Sequence, residues 1–174
     1  MAPTADVSAR VAWLDDAPAI ARVQLAAWRE AYAATLSPDL TEEALAEGWR
    51  SAMASPGDAR NRVLVALDRN LVVGFAITGP AGDPDADPIA DGALAELRVS
   101  PTRRREGHGS RLLQACVDTL SADRFTLITS WVDSTDDALR RFLTDAGWAP
   151  DGATRELASE TGETVRQVRL HTAI

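Results

Sequence analysis

Residues 93–120 read ALAELRVSPTRRREGHGSRLLQACVDTL, and this stretch decides the fold. A strand-like run ends at Val99, an arginine-rich loop follows, and Gly107-His108-Gly109 opens a helix. The apolar set of that helix is Leu112, Leu113, Cys116, Val117 and Leu120, spaced for one buried face. Glycines at a helix start let the backbone approach a ligand and leave its N–H groups pointing outward. Together with the helix dipole, those free donors favour an anion, phosphate being the usual guest. Arg103, Arg104 and Arg105 add positive charge at the same point. Taken alone, the stretch is open to two readings, a phosphate cradle or a solvated turn before an ordinary helix. Its neighbours have to choose between them.

Upstream, residues 7–14 (VSARVAWL) suit a first strand, after which Asp15 or Asp16 caps a helix that tolerates Pro18 in its first turn. Ile20, Val23, Ala27, Trp28 and Ala31 form its apolar stripe. Ser37-Pro38 is expected to start a second helix, with Leu40, Ala44, Leu45, Trp49 and Met53 inward. Two strands follow at 62–68 and 71–78, turned by Asp68-Arg69-Asn70. A long loop is expected at 79–92, with three prolines and four aspartates. Downstream, 125–132 reads as a strand, Ser134 as the cap of a helix over 135–146, and 153–158 and 164–171 as two last strands turned near Gly162. The predicted order is β-α-α-β-β-β-α-β-α-β-β. A three-strand meander followed by strand–helix–strand implies an α/β (mixed α+β) fold: a mixed, mostly antiparallel central sheet with helices on both faces. Doubly wound nucleotide folds alternate from the start and fit poorly.

A chain of 174 residues, 45% hydrophobic and 25% charged, suits a single domain over 1–174 that buries its own core. The lone cysteine, Cys116, lies on the apolar helical face and reads as core. Two histidines and one cysteine, far apart, offer no zinc-like spacing, so no metal is expected. A net charge of −8 argues against general nucleic-acid binding. No apolar run is long enough to span a bilayer and the N-terminus lacks a secretion-signal pattern, so no membrane association and a cytoplasmic location are expected. Every basic residue is arginine, a bias that matches a GC-rich genome and says nothing of function.

Over nearly its whole length the chain resembles a GNAT-type N-acetyltransferase. The family's acetyl-CoA signature, Arg/Gln-x-x-Gly-x-Gly/Ala after a strand ending in Val-x-Pro, is matched by Arg104-Arg105-Glu106-Gly107-His108-Gly109 after Val99-Ser100-Pro101. Residues 131–148 (WVDSTDDALRRFLTDAGW) are similar to the family's later helix motif, Phe142, Gly147 and Trp148 keeping its frame. Ala27-Trp28-Arg29-Glu30-Ala31-Tyr32 resembles the first helix of many bacterial members. The resemblance implies an acyltransferase that moves an acetyl group from acetyl-CoA, its co-substrate, to a primary amine by direct attack within a ternary complex. It implies that the pantetheine arm pairs with the backbone of Leu97, Arg98 and Val99. The pyrophosphate would lie on the N–H groups of Arg104, Arg105, Glu106, Gly107, His108, Gly109 and Ser110. Relatives are often dimers, so a homodimer is among the expected partners.

Three positions depart from the family pattern. Its frequent catalytic glutamate, six residues before the Val of Val-x-Pro, is Ala93; the available carboxylate is Glu96, on the opposite parity of the strand, and it is the candidate base, directly or through water. The usual tyrosine acid is Leu143, which leaves Tyr32 as a substitute acid. A frequent asparagine that helps hold the pantetheine is Asp136. Trp28, Arg29 and Tyr32 are the expected acceptor contacts, and Asp83, Asp85, Asp87 and Asp91 would either attract a cationic amine or form a solvated loop. A small-molecule amine is the favoured acceptor. The alternatives are a non-catalytic acyl-CoA-binding regulatory domain, which the three departures would suit, and a protein (lysine or N-terminal) acetyltransferase.

Overall fold

The computed structural model describes residues 6–158 and 162–174. Its elements are β1 (Val7–Val11), α1 (Ala17–Ala31), α2 (Glu42–Ala54), β2 (Arg62–Asp68), β3 (Leu71–Pro80), β4 (Asp91–Val99), α3 (His108–Ala122), β5 (Leu127–Asp133), α4 (Asp137–Asp145), β6 (Ala149–Ala158) and β7 (Thr164–Ala173). The order is the expected one. The seven strands form one sheet, β1-β2-β3-β4-β5-β7-β6. Every pairing is antiparallel except β4 with β5.

Several boundaries move, and at three of them a local hydrogen bond decides. The first strand stops at Val11 rather than 14, because the Asp16 carboxylate accepts the Trp13 N–H (2.7 Å) and grips Arg10 (2.7 Å), folding Leu14–Asp16 into a 3-10 turn. The second helix starts after Thr41, whose hydroxyl accepts the Ala44 N–H at 3.2 Å, and not at Ser37-Pro38; Leu40 falls outside it. Asp136, not Ser134, caps α4, accepting the Leu139 N–H at 3.0 Å. The long loop contracts to 81–90 as β3 and β4 extend toward each other. β5 lies at 127–133 rather than 125–132, and β6 begins at Ala149 rather than 153, with an irregular register between Pro150 and Thr154.

Two apolar cores flank the sheet. Under α3, Leu64, Ala66, Val73, Ala76, Leu94 and Leu97 meet Leu112, Cys116 and Leu120, and this core continues to Ile128, Val132, Leu143 and Leu170. Under α1 and α2, Val65, Leu67, Val72 and Phe75 meet Ile20, Ala21 and Trp49. Strands β2 and β3 are thus apolar on both faces and central to the fold. Trp49 meets Phe75 edge-on at 5.2 Å and donates its indole N–H to the buried Gln24 at 2.8 Å. The second core stops at β3, so the first one alone runs on beneath β5 and β7.

Candidate functional site

The site begins as a fork. β4 and β5 pair over only three positions, Asp91–Ala93 against Leu127–Thr129. Just beyond, the Ser130 hydroxyl donates to the Leu94 carbonyl at 2.8 Å, and the ladder goes no further. Ligands collect at such points in α/β sheets, outside the carboxyl ends of parallel strands.

The backbone of β4 faces into the fork. Ser100 N–H donates to the Val73 carbonyl at 2.7 Å, so 73–100 is a hydrogen-bonded antiparallel pair. Alternation makes Gly74–Val99 and Ala76–Leu97 the other type, whose peptide groups point away from β3. Leu97 and Val99 therefore turn their N–H and C=O groups toward the gap. Gly74 lets the strands lie this close: a Cβ there would meet the Arg98 carbonyl oxygen at 2.8 Å.

Across the gap stands the N-terminus of α3. Gly107 precedes it with φ +84°, a left-handed conformation that suits glycine, and no side chain caps the first N–H groups. The first helical bond is Arg111 N–H to the Gly107 carbonyl. The three arginines before the helix differ sharply. Arg103 binds Asp68 and Glu106 (2.9 Å to the latter), and Arg104 binds Glu30 at 2.7 Å. Arg105 has no ion-pair or hydrogen-bond partner among the described residues, and its backbone too is left-handed, φ +64°. Glu106 turns away from the gap to Arg103 and to the buried His108, 3.1 Å from its Nε2. The Arg103 and His108 bonds hold the Glu106 carboxyl below the usual range. Asp68, Glu106 and His108 bring one ligand-type atom each within 4.8 Å, a grouping that spacing along the chain did not reveal, and Arg103 supplies a cation to its carboxylates.

The cavity between these elements has a volume of ≈ 670 Å³. Of the residues named from the sequence as coenzyme contacts, Leu97, Arg98, Val99, Arg104, Arg105, Gly107, His108, Gly109, Ser110 and Asp136 border it; Glu106 does not. Tyr32 borders it from the end of α1, with its neighbours Glu30 and Ala31, whereas Trp28 and Arg29 lie outside its wall. A second hollow of ≈ 640 Å³ adjoins it at Ser110 and Phe142 and runs between α3 and α4 to Ile174.

Glu96 lies on a face that its parity in the sequence did not predict. The β3–β4 register slips between Ile77 and Thr78, leaving Ala95 as an extra residue in β4. Before the bulge Leu94 faces the core under α3; after it Leu97 does, although their numbers differ in parity. Ala93 and Glu96 consequently share the opposite face. Glu96 is not part of the cavity wall; its carboxylate accepts from Arg98 Nε at 3.2 Å. Arg98 also stands 3.8 Å from Asp136. Burial works against the Arg98 charge, but Glu96, Tyr32 and Asp136 outweigh it and hold its pKa above the ordinary value.

Sequence reasoning missed Asp133. It ends β5 on the cavity wall, accepts a hydrogen bond from the Tyr32 hydroxyl, and accepts from Gln167 Nε2 at 2.8 Å. Burial and the Asp133 charge push the Tyr32 phenol up to about 12. The available signal was its place at the carboxyl end of the strand that follows the glycine-started helix. Leu143, where a tyrosine was sought, is fully buried in the core.

The acidic loop is largely exposed, Asp85 and Asp87 included, but its charges are engaged within the molecule. Arg169 grips both Asp85 oxygens at 2.7 Å, Asp151 at 2.6 Å and Asp83 at 3.4 Å. The Trp131 indole donates to Asp83 at 2.9 Å, and the Arg155 guanidinium stacks over its ring at 4.4 Å. Asp87 accepts from the Ile89 and Ala90 N–H groups, and Asp91 from that of Asp87. All four aspartates serve the loop's own structure.

A family model described as the acetyltransferase (GNAT) family matches residues 23–148. Among solved structures, the chain is similar to a ribosomal-protein-alanine N-acetyltransferase from Brucella melitensis, with TM-score 0.74, 18% identity, and 95% of this chain and 99% of that one covered. It is similar to an N-acetyltransferase from Staphylococcus aureus Mu50, with TM-score 0.75, 15% identity, and coverage of 96% and 98%. It is also similar to yncA from Salmonella typhimurium, solved with its cofactor acetyl-CoA, with TM-score 0.69, 16% identity, and coverage of 97% and 94%. A comparison with curated protein sequences finds no match.

Proposed function

The chain belongs to the acetyltransferase (GNAT) family, and from that premise we propose that this acyltransferase moves an acetyl group from acetyl-CoA to the primary amine of a small molecule. The observation that carries the reading is the fork: a strand edge with unpaired peptide groups at Leu97 and Val99 faces an uncapped helix N-terminus. The residues fit the coenzyme. An amide-bearing arm can complete the β4 edge, as a strand would. A pyrophosphate can take the first N–H groups of α3, with Arg105 as the cation left free to meet it. The hollow between α3 and α4 gives room for the nucleotide end. The whole chain, 1–174, is read as one such domain.

Acetyl-CoA supplies the thioester, an acyl group already activated toward amines. The chain's first contribution is alignment, holding acyl carbon and acceptor nitrogen within one cleft. The Val99 N–H points into the fork and is placed to donate to the developing oxyanion. Glu96, brought to the acceptor face by the bulge, takes the ammonium proton through a water, since it stands behind the wall. Tyr32 is a weak candidate for returning a proton to the leaving sulfur, because its phenol is held at about 12 and already committed to Asp133. A small acceptor suits a cavity of ≈ 670 Å³ that also has to hold the coenzyme arm. Among the described residues no helix is long and apolar enough to cross a membrane.

Calorimetric titration with acetyl-CoA, with adenosine diphosphate as control, tests the reading. Binding that requires the pantetheine arm is the expected result. A folded protein that binds neither, or both equally, overturns it.

A further inference from the structure

The acceptor side of the cleft has an uneven charge balance, and the reading of the protein as an amine acetyltransferase gives that imbalance a meaning. In β5, Ile128 and Val132 point into the core under α3, so Trp131 and Asp133 point to the other face, where Tyr32 arrives from α1. Asp133 is bound there only by neutral donors, the Tyr32 hydroxyl and the Gln167 amide; no arginine pairs with it among the described residues. A carboxylate accepts about four hydrogen bonds, so two donors leave both oxygens with room for another. Arg98 is in the reverse position: its charge is met by Glu96 at 3.2 Å and by Asp136 at 3.8 Å.

We propose that Asp133, fixed by Tyr32 and Gln167, receives the ammonium of the acceptor, and that the acceptor is a cationic amine with no carboxylate beside its reacting nitrogen. The inference rests on the acetyltransferase reading and names the substrate class for that site. Tyr32 stays protonated at neutral pH and so donates to Asp133 without cancelling its charge. An amino acid docked by its ammonium on Asp133 would have its carboxylate in the same cavity as Arg98 and Asp136. Arg98 keeps N–H groups free, but its single charge is outnumbered by the carboxylates of Glu96, Asp136 and Asp133, so a further carboxylate is opposed there. Repulsion of this kind discriminates as effectively as attraction. The loop over Trp131 adds no competing site, because its aspartates are held by Arg169 and by its own backbone. Asp133 is here a binding and positioning residue, while proton removal stays with Glu96.

The test uses the full chain, acetyl-CoA and matched amine pairs: tyramine with tyrosine, histamine with histidine, agmatine with arginine, followed by thiol release. The expected result is that kcat/KM for the better decarboxylated amine exceeds that of its amino acid by about tenfold or more, the scale of a charged hydrogen bond lost or opposed. Asp133→Asn should raise KM for that amine about tenfold with a smaller change in kcat and unchanged acetyl-CoA affinity, and Tyr32→Phe should move KM the same way by less. Preference for the amino acids, an unchanged KM in Asp133→Asn, or coenzyme binding with none of the three amines turned over would each overturn the substrate class and leave the coenzyme reading standing. Absence of acetyl-CoA binding by the wild-type protein would overturn the underlying reading and the inference with it. The pair preference is measured on wild-type protein, so it does not depend on either variant folding.

Discussion

Glu96 and Asp133 are two carboxylates whose different partners underlie the different roles proposed for them. Glu96 is paired with a guanidinium and stands behind the cavity wall; Asp133 is on the wall and has neutral donors only. Removing the Glu96 charge while keeping its shape is therefore expected to slow the chemical step. Glu96→Gln should lower kcat by about 100-fold, the usual worth of a general base, with acetyl-CoA affinity unchanged in calorimetry. A loss of only a few fold would remove Glu96 from that role. Glu96 was legible in the sequence as the nearest carboxylate to Val99, but the face it occupies was not. One extra residue at Ala95 reverses the parity of the strand, and no local feature of ALAELRV marks a bulge there. Asp133 was illegible for a related reason. Its importance comes from Tyr32, one hundred and one residues away in the chain, and only the folded sheet brings the two together.

At the scale of elements, the start of α3 does the most with the fewest side chains. Gly109 has ordinary helical geometry, and a Cβ there would sit 3.5 Å from Phe142 and 3.8 Å from Val99, in normal contact. Alanine is thus accommodated, while the branches of valine would fill the space between helix and strand. Gly109→Val should stay folded and lose acetyl-CoA affinity. Arg105→Ala should weaken the coenzyme by about tenfold and flatten the salt dependence of binding, since Arg105 is the one cation of the three without a partner among the described residues. Equal losses from Arg104→Ala, whose guanidinium is paired with Glu30, would contradict that ranking. This element was legible almost to the residue, because glycines, arginines and apolar spacing all mark the same boundary. The starts of α2 and α4 were less so. Ser37, Thr41, Ser134 and Asp136 are all competent cap types, and residue type alone does not tell which of them takes the helix N–H, as Thr41 and Asp136 do.

Over the whole molecule, Arg169 is the tie between distant parts, joining β7 to the 81–90 loop through Asp83 and Asp85 and to β6 through Asp151. Its hydrogen bonds hold the Asp85 carboxyl below the ordinary carboxylate range. A group depressed in this way stabilises the folded state fully above its unfolded value and loses that contribution as the pH falls through its folded one. Hydrogen exchange should therefore show the 81–90 amides protected at neutral pH and released on acidification, and Arg169→Met should show the acid pattern at neutral pH. Unaltered protection in that variant would mean that the loop is held by its own turns. The overall architecture was legible because the apolar runs in β2 and β3 and the strand–helix–strand unit after them leave few alternatives; the ordering of the acidic loop was not, since Arg169 lies far along the chain. The two cores carry a further consequence. Neither contains Tyr32, Glu96, Arg98, Trp131 or Asp133, and the one beneath α1 and α2 ends at β3. The wall proposed to meet the acceptor thus lies outside both hydrophobic layers, so on that reading a lineage can exchange one amine for another by editing that wall while the layers that keep the chain folded stay as they are.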